Sequence, residues 1–168
     1  MKRLAILLLS LAPLVSPASA EVEESSDSSG LYVGAAAALT LPQGGSRMRR
    51  LGGGCMRAGW YLGDYWSVEG EAAWLENAAG LGAGALWHLQ GWSLYGDFFG
   101  YSQFDPFVTA GARGWIGDGG QVGPSAGAGA FWHLTEEWSL RFDASATLGL
   151  DSRTEVVYVL AAGVQRSF

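Results

Sequence analysis

The chain has 168 residues, of which 15% are charged, 26 are glycine and 8 are tryptophan, with 10 Lys and Arg against 16 Asp and Glu. The surface of a soluble domain usually carries ~25–35% charged residues, and an acidic balance excludes a basic nucleic-acid binder. One cysteine, Cys55, excludes an internal disulfide framework and a cysteine-rich zinc site, and no cofactor or metal is predicted.

Residues 1–20, MKRLAILLLSLAPLVSPASA, read as a secretory signal peptide. Lys2 and Arg3 form the charged start, Leu4 to Val15 the apolar stretch, and Ala18-Ser19-Ala20 the cleavage site. Those two cations are among the ten, so the remaining chain carries 8 basic residues against 16 acidic ones, and no lysine. Residues 21–29, EVEESSDSS, are acidic and serine-rich and are expected to form a disordered periplasmic tether. The rest, 30–168, is the length of one domain. No later run reaches the ~18 apolar residues of a membrane helix.

From residue 30 onward the sequence repeats with a period of two. Turn residues divide it into eight predicted strands, at 30–41, 51–62, 66–76, 81–90, 106–116, 122–134, 138–150 and 155–168. One face is continuously apolar, running from Leu31, Val33 and Ala35 to Leu160, Ala162 and Val164, and its sole charge is Arg166. Trp60, Trp66, Trp74, Trp87, Trp132 and Trp138 lie on it. The other face is mostly Gly, Ala and Ser, with six charges: Arg57, Glu69, Glu71, Arg113, Arg141 and Asp143. A soluble sandwich puts its bulky apolar residues inside and its charges outside. Here the small and charged residues suit a narrow interior, and the tryptophans suit a lipid-facing wall. A soluble eight-stranded barrel is the competing reading, but six tryptophans overfill one small cavity.

The predicted fold is therefore all-β, an eight-stranded antiparallel up-and-down transmembrane β-barrel. The tight turns after strands two and six, Gly63-Asp64-Tyr65 and Thr135-Glu136-Glu137, mark the periplasmic end. Trp60, Trp66, Trp87, Trp132 and Trp138 form an aromatic girdle there. The outer loops are expected at 42–50, 77–80, 117–121 and 151–154. Residues 91–105 form the longest connection, on the periplasmic side.

LYVGAAAAL, WSVEGEAAW, DPFVTAGARG and the last strand VYVLAAGVQRSF carry a resemblance. The chain resembles the small outer membrane β-barrel family that includes outer membrane proteins A and X and the opacity-type porins. The resemblance implies a bacterial outer membrane location. It also implies an assembly signal at Phe168, read by the barrel assembly machinery. Arg166 departs from the apolar choice usual in that signal, and is expected to snorkel to the headgroups.

Charges inside a barrel need partners, so the six interior charges are expected to pair into a network that plugs the lumen. His88 and His133 share the inward phase and, with Glu69, raise a metal site or hydrolytic triad as an alternative to hydrogen-bonded filler. Glu69 and Glu71 raise acid–base chemistry in the same way. Filler is the preferred reading for all four, Cys55 is read as packed, and no enzyme activity is expected. Arg47, Arg49 and Arg50, in the first outer loop, are placed to meet lipopolysaccharide phosphates. Glu76, Asp118, Asp151 and Glu155 surround the same rim without the spacing of a dedicated cation site. The expected role is a monomeric, structural one in envelope integrity, with outer membrane lipids including lipopolysaccharide as partners. The alternatives are a surface or lipopolysaccharide-binding module, or a narrow low-conductance pore.

Overall fold

The computed structural model describes residues 30–42, 52–89, 104–117, 120–150 and 155–168. The loop arginines Arg47, Arg49 and Arg50, residues 1–29, and all of 91–105 but its last two residues lie outside these.

The alternating sequence folds into β1 (Leu31–Pro42), β2 (Gly52–Tyr61), β3 (Trp66–Leu75), β4 (Ala78–His88), β5 (Phe104–Gly117), β6 (Val122–His133), β7 (Trp138–Leu148) and β8 (Val156–Ser167). Every strand pairs antiparallel with its sequence neighbours, and β8 returns to β1 to close the barrel. Gly30 and Phe168 lie at one end, here the terminal end, together with the turns that follow β2 and β6. The loop end is opposite. At the first of those turns Leu62 N–H donates to the Trp66 carbonyl at 2.8 Å, and Gly63 adopts a φ of 126°, which a side chain would disfavour.

Two strands start earlier than the sequence suggests. Strand β4 begins at Ala78, opposite Leu75, so only Glu76 and Asn77 turn the chain where a loop over 77–80 was expected. Gly80 reads as a loop glycine but is a packing glycine, because a Cβ there would stand 2.6 Å from Cζ3 of Trp115. Strand β5 begins at Phe104 and runs through Pro106. The proline fits because it lies one step past the last β4 rung, His88–Phe107, where its carbonyl still accepts from Leu89 N–H at 2.8 Å and its missing N–H leaves no rung of β4 unpaired. Asp105 consequently belongs to a strand and is buried in the interior.

The two faces divide as the period demands. Trp60, Trp66, Trp74, Trp132 and Trp138 are each about half exposed on the outside. Trp115 is different and points inward, 4% exposed. The interior is layered. Toward the loop end it is apolar, with Ala38, Cys55, Ala73, Leu75, Ala78, Trp115, Val157, Val159 and Ala161 in one cluster. Toward the terminal end Leu86, Phe107 and Phe131 pack together beside Tyr32 and Tyr61. The charged residues lie between.

Small residues let the wall close tightly. At the β1–β8 seam a Cβ on Gly163 would overlap the Ala35 carbonyl and Ala36, and on the next strand a Cβ on Gly59 would overlap the Tyr32 ring. A small cavity lies behind this seam, lined by Gly34, Ala36, Gly163 and Gln165 and by the guanidinium-bearing Arg57 and Arg141.

Candidate functional site

Strand β2 presents Arg57 to the lumen, β3 presents Glu69 and Glu71, β5 presents Arg113, and β7 presents Arg141 and Asp143. The period of two is what aims them all inward. Register brings Arg57 opposite Glu71, and Arg57 Nε donates to Glu71 Oε2 at 2.8 Å. Its other two nitrogens cross the lumen to Asp143, donating at 2.8 and 3.1 Å. Arg141 Nε donates to the same carboxylate at 3.0 Å, and both terminal nitrogens of Arg141 grip Glu69 in a fork. Arg113 meets Glu71 at 2.9 Å and donates to Ser145 Oγ, also at 2.9 Å. All six charges thus join one connected network, with side chains 4–10% exposed.

The network is anchored at its edges. Tyr32 O–H donates to Glu69 Oε2 at 2.9 Å. The Arg141 guanidinium lies 4.9 Å from the Phe107 ring centre and 5.2 Å from that of Phe131, and Arg113 lies 5.9 Å from that of Trp115. These aromatic contacts connect the charged layer to the apolar layers above and below it.

His88 and His133 do not gather around Glu69. His88 Nδ1 stands 2.6 Å from Asp105 Oδ2, and its Nε2 stands 3.0 Å from Ser67 Oγ. His133 Nδ1 pairs separately with Ser139 Oγ at 2.8 Å. Ser67 and Asp105 are therefore polar partners that the sequence reading misses. A signal exists, since both hold inward phase on strands flanking β4, but Pro106 reads as the start of the fifth strand and leaves Asp105 in the connection before it. Among the described residues no group of three or more His, Cys, Asp and Glu is arranged to hold a metal. Cys55 is buried and unbridged.

The girdle tryptophans ring the terminal end. Trp66 stacks on Trp87 across β3 and β4, centroids 5.8 Å apart and planes 10° apart. Arg166 sits at the same level, with its guanidinium over Trp138 at 5.6 Å and over Phe168 at 4.9 Å. It donates to Glu137 Oε2 from Nε at 3.1 Å and from a terminal nitrogen at 2.8 Å. A turn carboxylate thus neutralises the single charge of the outward face. Phe168 N–H donates to the Leu31 carbonyl at 2.9 Å, fixing the last residue onto β1. Of the rim acids, Glu76 is exposed at the turn joining β3 to β4, while Asp118 and Asp151 lie outside the described residues.

No protein-family model matches the sequence, and no curated protein matches it either. Solved structures do. Neisserial surface protein A aligns with a TM-score of 0.60 at 15% identity, covering 86% of this chain and 100% of that one. The N-terminal β-barrel domain of Pseudomonas aeruginosa OprF aligns at 0.56 and 18% identity, covering 82% and 97%. The fold is that of the small outer membrane β-barrels. A de novo designed transmembrane β-barrel aligns equally well, at 0.59 and 15% identity over 83% of this chain and 95% of that one. A designed barrel matches as well as natural ones, so this likeness follows from the architecture and leaves function to be argued from the side chains.

Proposed function

We propose that the protein is an integral barrel of the bacterial outer membrane, exported by its signal peptide, with a side-chain-plugged interior and a structural role in envelope integrity. The observation that carries this reading is the pairing of a continuous outward apolar belt with an interior in which the six mid-barrel charges are bonded to one another and capped by apolar layers. In lipid an open sheet edge has no partner, which is why closure and an apolar exterior go together. The terminal end faces the periplasm, where the girdle tryptophans sit at the headgroup level. Phe168 serves as the signal for the barrel assembly machinery, and the barrel works as a monomer. Arg47, Arg49 and Arg50 meet lipopolysaccharide phosphates at the opposite rim.

Outer-membrane fractionation followed by gel electrophoresis with and without boiling tests the reading. A closed barrel should partition with the outer membrane and migrate faster unboiled than boiled. Recovery from the periplasm as a soluble protein with one mobility would overturn it.

A further inference from the structure

Just inside the terminal mouth, Ser67, His88 and Asp105 stand on three adjacent strands, none more than two residues from its strand's end at that mouth. Their order is the one a charge relay needs: carboxylate to Nδ1 at 2.6 Å, and Nε2 to hydroxyl at 3.0 Å. In the tautomer that carries its proton on Nδ1, facing Asp105, Nε2 is the lone-pair nitrogen that takes the Ser67 proton. The ring cannot turn away from this alignment. Phe131 stacks on it at 5.8 Å and 18°, Tyr61 tilts against it at 5.4 Å, and Phe107 at 6.3 Å.

Asp105 is buried and bonds to His88 through Oδ2, while its Oδ1 is one of six buried side-chain atoms among the described residues with no hydrogen-bond partner. A carboxylate bonded only through its other oxygen leaves its full charge to the imidazole, which is the role of the third member of such a relay.

We propose that Ser67, fully buried in this structure, is a nucleophile activated through His88 and Asp105, able to take the acyl group of a small ester once the side chains at the terminal mouth part. In that step the Ser67 Oγ–acyl bond forms and the ester C–O bond breaks. The serine proton passes to His88 Nε2 and from there to the departing alcohol; water then releases the acyl group as a carboxylic acid. The surrounding rings of Tyr61, Phe107 and Phe131 favour an apolar acyl group. Backbone N–H groups along these strands serve the ladders of the wall and form no ready oxyanion hole. Loss of one oxyanion donor typically slows such chemistry by ~10²–10³-fold. Slow acylation at a single residue is therefore expected, and not rapid turnover.

The test uses the full mature barrel, folded in detergent and verified by its heat-modifiable mobility, and treated with diisopropyl fluorophosphate. There Oγ–P forms, P–F breaks, and fluoride leaves while His88 takes the proton. Intact mass and peptide mapping should find one adduct, on Ser67, formed faster in the folded barrel than in urea-unfolded chain. His88→Gln should slow it by ~100-fold, and Ser67→Ala should abolish it. No adduct on the folded wild-type barrel would overturn the proposal. So would an adduct on another residue, or a Ser67 adduct no faster than in the unfolded chain. The wild-type measurement decides even if a variant fails to fold.

Discussion

Arg57 engages Glu71 on the adjacent strand and Asp143 on the far side of the lumen, and approaches Glu69 at 3.8 Å. Removing it leaves carboxylates facing one another in a dry interior, and breaking a buried pair in this way costs ~3–5 kcal/mol. Arg57→Ala should accordingly lower the unfolding free energy of the barrel in detergent by that amount, read as a lower urea midpoint, and an unchanged midpoint would mean that water compensates the charges. The adjacency of the predicted second and third strands is enough to bring Arg57 near Glu69 and Glu71. The bond to Asp143 was not legible, because it joins β2 to β7 and exists only once the sheet has curled. Ser67 and Asp105 escaped for a related reason. Their meeting at His88 depends on β5 starting at Phe104, ahead of Pro106, and a proline there reads as a strand boundary.

At the scale of the strand, period two carried most of the information. A slip of one residue exchanges the two faces, so the single phase that keeps charges off the apolar face fixes the direction of every side chain. Strand ends were less legible, as Gly80 shows, since a glycine chosen for packing looks the same in sequence as one chosen for turning. Pro124 in β6 is a second such residue. Along β6 the odd positions bond to β5, as Trp115 N–H does to the Gln121 carbonyl at 2.7 Å. The even positions bond to β7, as Leu150 N–H does to the Val122 carbonyl at 3.0 Å. Residue 124 therefore lacks its N–H on the β7 side, opposite Leu148. Pro124→Val should restore one ladder bond and raise stability by ~0.5–1.5 kcal/mol, read as a higher urea midpoint. A lower midpoint would show that the ring packs more favourably than the bond.

For the whole molecule, an apolar layer, a charged layer and an aromatic layer occupy successive depths of one narrow interior. Eight strands leave no continuous aqueous path once side chains fill them. Planar-bilayer recordings of the folded barrel should therefore show no stable single-channel steps; steps of uniform size would establish the pore reading. The β1–β8 seam gives the closed wall a particular property. The charges inside come from β2, β3, β5 and β7, while the two strands that complete the circle contribute no charged side chain to the lumen. Arg57 of β2 and Asp143 of β7 stand on the strands that flank β1 and β8, so their bond spans the seam from the inside. Parting β1 from β8 pulls on that bond, and the line of closure, bare of charge itself, is stapled by the network behind it.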